Sequence, residues 1–270
     1  MRVSFVQRIN KSHFYFLCAV VVFICILAIR TPYPRIIFED VSFFIAPSAE
    51  KAYAYGAYHF DAREAHAYDL NRSERFFYQA KNLNSQLPLV EHQLARIAFL
   101  RGDFFAALQR VDRELAREKP AAPSYYLRGL IKGYMEDYDG AARDYKKYIE
   151  SDPTNWAATN DLAWVYLKGN RPQDALDAIN VIIDGWPKNP WLLNSKAIAL
   201  FELGRLAEAY ESAKAAETEV AKLSEQSWST AYPGNDPLIA AQGLAAFKKA
   251  VRDNVHSIEV ALQQPQKDVQ

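Results

Sequence analysis

Cysteine is almost absent from this sequence. Its two cysteines, Cys18 and Cys25, both sit in an apolar N-terminal run, so everything after Arg30 is cysteine-free. No disulfide framework and no cysteine-based zinc site can be built there. An excess of one charge is absent too, with 32 Lys and Arg against 32 Asp and Glu. A generic nucleic-acid binder needs a basic surface, and this balance does not supply one. The 10 glycines are scattered, and no glycine-rich cluster opens a helix to cradle phosphates. No GxSxG nucleophile elbow occurs. His59 and His66 are two helical turns apart, roughly 10 Å along a helix axis, too far for one zinc without a further ligand. His92 and His256 stand alone in their segments. The stretch "MEDYDGAARDYKKYIESDP", Met135–Pro153, holds a "DYDG" that resembles part of a calcium loop. In that register Asp137, Asp139 and Gly140 would be the third, fifth and sixth positions. The first would be Met135 and the twelfth Lys146, neither of which can ligate calcium as that loop requires. Catalysis, metal binding and a cofactor are therefore not expected.

What is present is apolar and helical in pattern. Half of the residues are hydrophobic and 24% are charged, enough for a sizeable core. Ser12–Ile29 is uncharged and almost wholly apolar, between the length of a signal-peptide core and that of a membrane span. Arg30 and two prolines come next instead of the small residues of a cleavage site. The reading favoured is an uncleaved transmembrane signal anchor over residues 12–30; a cleaved signal peptide and a buried core helix are the alternatives. Residues 1–11 form a short head with Arg2, Arg8 and Lys11 and no acid, whereas Arg30 and Arg35 on the far side meet Glu39 and Asp40. The positive-inside rule then places the N-terminus in the cytoplasm and the bulk of a single-pass chain across the membrane. The linker 31–53, with "FEDVSFFIAPSAEKAYAY", is apolar and aromatic enough to lie along the bilayer or pack on the first unit of the segment that follows, from residue 54.

A period of 34 residues runs through the remainder. Ser73, Ala107, Ala141, Ala175 and Ala209 recur at that step, as do Ala95, Gly129, Ala163 and Ala197. Pro153 steps to Pro187, and Pro120 is one residue off. Small residues are needed where two helices cross closely, and proline ends a helix. The two small positions lie twelve apart, one on each helix of a hairpin. The pattern resembles tetratricopeptide repeats, most clearly from Trp156, where Leu162, Ala163, Tyr166, Ala175, Ile179, Ile182 and Pro187 fit. Leu94, Ala95, Ala98, Gly102, Asp103, Ala107 and Val111 carry it in the repeat from Pro88. The resemblance implies an all-α, right-handed superhelical solenoid, with repeats at 54–87, 88–121, 122–155, 156–189 and 190–223.

Three departures stand out. Asp61 occupies a small apolar position, so the first unit can carry a slipped register. Arg128 and Lys132 replace apolar residues in the third unit. The last unit lacks its closing proline, so its second helix is expected to continue past Leu223. Residues 224–270 read as a loop over Ser224–Asn235 and a C-terminal capping helix, with Asp236 as N-cap and Leu244, Phe247, Val251, Val255 and Ile258 as its apolar stripe.

In such an array the first helix of each repeat lines the inner surface. Two positions four apart share a helical face, giving His92 and Arg96, Tyr126 and Leu130, Asn160 and Trp164, and Asn194 and Ile198 as two columns. Asparagine suits an extended backbone and the aromatics suit anchoring. Phe99, Tyr134, Trp191 and Phe201 would extend that surface. The 31 tyrosines and phenylalanines, interleaved with lysine, also suit stacking on single-stranded nucleic acid. Tyr145 and Tyr148 fall on interhelical positions, however, and read as core. The expectation is a membrane-anchored scaffold that binds a peptide or helix of a partner protein, not nucleic acid. A structural subunit of a membrane enzyme complex, self-association, and occupation of the columns by the chain's own cap or linker are the alternatives.

Overall fold

The structure, a computed structural model, describes residues 34–61, 67–231 and 240–264. The head, the apolar run at 12–30, His66 and Asp236 lie outside them. The described residues form thirteen α-helices and no strand: α1 (Pro34–Ile45), α2 (Ala49–His59), α3 (Leu70–Leu83), α4 (Val90–Leu100), α5 (Phe104–Leu115), α6 (Ala122–Tyr134), α7 (Tyr138–Ile149), α8 (Trp156–Lys168), α9 (Pro172–Ile182), α10 (Pro190–Glu202), α11 (Leu206–Ala221), α12 (Glu225–Ala231) and α13 (Ala240–Gln263). Helices α2 to α11 pack as five successive hairpins, α2 on α3 through α10 on α11, and α13 packs on α11.

The local cause of each hairpin is a repeated turn. Gly102, Glu136, Asn170 and Gly204 have φ of 77°, 65°, 56° and 74°, one left-handed residue every 34 positions. In each turn the next residue's amide donates five residues back, as Asp103 to Ala98 (3.0 Å) and Asp137 to Lys132 (2.9 Å). This Schellman closure satisfies the last carbonyls of the first helix. Asp103 and Asp137 then cap the second helix, their carboxylates accepting from Ala106 N (3.0 Å) and Gly140 N (2.9 Å). Asp137, the "DYDG" aspartate, is thus a helix cap. Glu136 holds a conformation that favours glycine. Glu136→Gly is expected to stabilise the protein by about 0.5–1 kcal/mol, read as a higher urea midpoint; an unchanged or lower midpoint would refute the strain.

Burial follows the period. Ser73, Ala95, Ala107, Ala141, Ala163, Ala175, Ala197 and Ala209 are fully buried. Tyr145 is fully buried against Gly129, where an added Cβ would stand 3.1 Å from its ring. Arg143, Lys146, Lys147 and Glu150 form the exposed face of α7.

The departures resolve individually. Between α2 and α3 the closing backbone bond spans five more residues than in the other turns. Asp69 N donates to His59 O (2.9 Å) instead of to position 64, and Gly56 takes the close-contact place that the period assigns to Asp61. Helix α2 accordingly starts at Ala49, inside the stretch read as linker. Arg128 and Lys132 lie over α7, where buried Asp144 accepts from Arg128 Nη2 (2.6 Å) and Lys132 Nζ (2.7 Å). Those bonds hold the Arg128 guanidinium above its usual pKa. The last repeat's second helix ends at Ala221, short of Leu223, and the expected loop contains α12. Helix α1 is tied down by Glu39, buried against His59 Nε2 (2.6 Å), and by Asp40, which meets Arg72 (3.0 Å) and Arg75 (2.7 Å).

Candidate functional site

Helices α4, α6, α8 and α10 pack in succession, and α13 lies beside α10. This inner row borders a concavity of about 400 Å³. Six residues of the two columns line it together: Tyr126, Leu130, Asn160, Trp164, Asn194 and Ile198. Of the proposed extensions Phe99, Tyr134 and Trp191 join them, whereas Phe201 packs on the core.

His92 and Arg96 are not in that lining. His92 Nδ1 lies 3.1 Å from Ser124 Oγ, and burial, with the Arg96 charge second, pushes the imidazole down to about 3. Arg96 stacks over Phe60, its guanidinium carbon 4.3 Å from the ring centroid, and donates to Gln93 (3.0 Å). Arg96 is thus engaged by Phe60 after the first hairpin's α2, and His92 by Ser124 of α6. For Arg96 the cause is the slipped turn, which sets Phe60 and Asp61 against α4; Asp61 is among the groups that act on the Arg96 charge.

The concavity has an aromatic wall built by packing. Trp164 stands 6.0 Å from Tyr134 and 6.5 Å from Tyr138, ring centre to ring centre. Gly133 makes room for it, since a Cβ there would come within 2.9 Å of the indole. At the other end Trp191 stacks on Phe247 of the cap (5.4 Å) and on Trp228 of α12 (5.9 Å). The cap therefore closes one end, and Asn254 Nδ2 donates to Asn194 Oδ1 (2.9 Å). Ser195 Oγ donates to Asn160 Oδ1 (2.9 Å). With those oxygens occupied inside the chain, what each asparagine has left to donate is its amide nitrogen, and Asn160 already gives one N–H to Asp161.

Asp161 was missed by the column reading. It sits one residue past Asn160, and its equivalents at the 34-residue step are Leu127 and Ser195. A carboxylate in a column otherwise apolar or neutral was the available signal. Half-buried in the lining, Asp161 accepts from Tyr126 OH (2.5 Å) and from Asn160. Burial pushes its carboxyl up to about 6 against the lowering effect of those two bonds. Trp228, in the segment read as loop, carried no signal at all.

Known proteins agree on the architecture. Residues 126–190 match the tetratricopeptide repeat family. The chain is similar to "FK506-binding protein-like" of Mus musculus, 38% identical over 82 residues, which are 30% of this chain and 23% of that protein. The rat protein is 36% identical over 87 residues, so the chain spans about a quarter of the length of these curated relatives. Among solved structures, "YrrB: a TPR protein with an unusual peptide-binding site" aligns with a TM-score of 0.56 at 11% identity, over 68% of this chain and 93% of that one. "MamA protein" aligns with a TM-score of 0.54 at 16% identity, over 63% and 92%. At such identities the likeness is one of fold. Residues 126–190 thus match the tetratricopeptide repeat family, and the five hairpins have a fold similar to that of these solved structures.

Proposed function

We propose that this chain is a membrane-anchored scaffold that holds an extended peptide or a helix of a partner protein in its inner concavity. The observation that carries the reading is the lining, in which eight of fifteen residues are aromatic, most of them on the helices that face inward. Large half-buried aromatics around a cleft are the composition of binding hot spots. YrrB, with a similar fold, is described as having a peptide-binding site. The anchor rests on the uncharged apolar run at 12–29, and the far-side placement of the repeats on the basic head. The run lies outside the described residues, among which no helix is long and apolar enough to cross a membrane.

A photo-crosslinking residue at Ile198, inside the concavity, is expected to trap a protein partner in cells. The same residue at Val181, which is 82% exposed on α9, is expected to trap none. Trp164→Ala should abolish the Ile198 adduct while circular dichroism stays unchanged. Adducts that ignore Trp164 would remove the reading. Alkaline extraction of the same cells tests the anchor, with the full chain retained in the membrane fraction and the chain lacking 1–30 released.

A further inference from the structure

Among the described residues the fully buried carboxylates are neutralised from within, whereas half-buried Asp161 in the concavity is not. Glu91 is met by Lys81 Nζ (2.7 Å), Arg110 (3.3 Å) and Arg113 (3.4 Å). Asp144 is held by Arg128 and Lys132, and Glu39 by His59 and Arg72. Asp161 has hydrogen bonds from Tyr126 and Asn160 but no ion pair among the described residues. Among the described residues it is also the only charged one in the lining, to which they contribute no lysine, arginine or histidine. A desolvated carboxylate costs stability unless a cation meets it.

We infer that the segment bound in the concavity presents a lysine or arginine side chain, with Asp161 as its counter-ion and the surrounding aromatic rings as its walls. This rests on the peptide-binding reading and adds the chemistry of the ligand. A carboxylate offers about four lone-pair positions, and two bonds account for part of them. A guanidinium or ammonium can use the remainder. Tyr126, Tyr134 and Trp164 supply π faces around the same space, and an aromatic face attracts a cation most when water is excluded. An anionic segment would meet the one negative charge with nothing to offset it, and a purely apolar one would leave that charge desolvated. The raised pKa of Asp161 agrees, because a charge disfavoured by its surroundings gains most when a cation arrives.

The test is selection of random linear peptides on the immobilised full chain, with the Trp164→Ala chain as counter-selection. Peptides that require Trp164 are expected to be enriched in lysine or arginine at one position by about fivefold or more, the discrimination of a desolvated cation–π and ion-pair contact. On the Asp161→Asn chain that enrichment should fall to library level while apolar positions persist. Trp164-dependent peptides without a basic preference, or a preference that survives Asp161→Asn, would overturn the inference and leave the peptide-binding reading standing. Failure to recover any Trp164-dependent peptide would overturn both.

Discussion

Gly56→Val is expected to destabilise the protein by about 3 kcal/mol, while Asp61→Ala changes stability by less than about 1 kcal/mol. The 34-residue period assigns the close helix crossing of the first hairpin to position 61. The structure puts it at Gly56, where an added Cβ would stand 2.9 Å from two atoms of the Phe77 ring. Phe77 is fully buried and braced by Tyr53, centroid to centroid 5.4 Å, so the ring cannot swing aside. Ser73 Oγ donates to Gly56 O (2.8 Å) across the same contact, and separation of the helices would break that bond too. Valine loses χ1 freedom in a helix and recovers less of glycine's entropic cost than alanine would. Urea unfolding of the two variants, with unchanged m-values, measures both numbers. A larger loss at Asp61 than at Gly56 would show that the hairpin keeps the family register and that the five extra residues lie elsewhere.

Asp161→Asn is expected to act in the opposite direction, raising stability by about 2 kcal/mol near pH 7.5. The folded carboxyl titrates at about 6 against an ordinary value of 3.8. That displacement corresponds to about 3 kcal/mol, from which solvent on the open side of the concavity removes part. The sign comes from linkage. A carboxyl whose folded pKa is raised contributes its stability at low pH, where both states are protonated. That contribution is lost as pH rises from 3.8 through about 6, because the unfolded chain ionises first. Asparagine keeps an oxygen to accept from Tyr126 and removes the desolvated charge. The melting temperatures of the two chains should therefore coincide near pH 3 and separate between about pH 4 and 6. Equal melting temperatures at pH 7.5 would show that the carboxylate is not destabilised in the folded protein. A variant that gains stability and loses the basic-peptide preference would tie the strain to recognition, a trade common at binding sites.

Much of the architecture was legible because the repeat is a local device. Ala107, Ala141, Ala175 and Ala209, at one phase of the period, are buried as a small residue at a helix crossing must be. The caps were legible in part: Asp103 fits the pattern of its repeat, whereas the left-handed Glu136 and Asn170 carried no glycine to mark the turn. The groove was half legible. Columns four apart on successive first helices brought Tyr126, Leu130, Asn160, Trp164, Asn194 and Ile198 into one lining. His92 and Arg96 obeyed the same spacing and fell outside it, Arg96 because a turn some thirty residues upstream had placed Phe60 under its guanidinium and His92 because it is buried against Ser124.

The sequence by itself determined the helical hairpin, its length, its small contact positions and the aromatic character of the inner face. Each depends on residues within one repeat, where backbone geometry ties spacing to contact. Tertiary structure alone decided where the register slips, which acid neutralises Arg128 and Lys132, how α13 closes one end of the concavity, and why Asp161 has no ion pair among the described residues. Those outcomes depend on side chains distant in sequence. Asn254 lies 60 residues from the Asn194 it meets, and the desolvation that lifts Asp161 is a sum over every neighbour. No spacing rule contains that information, since burial and charge compensation are properties of the assembled surface.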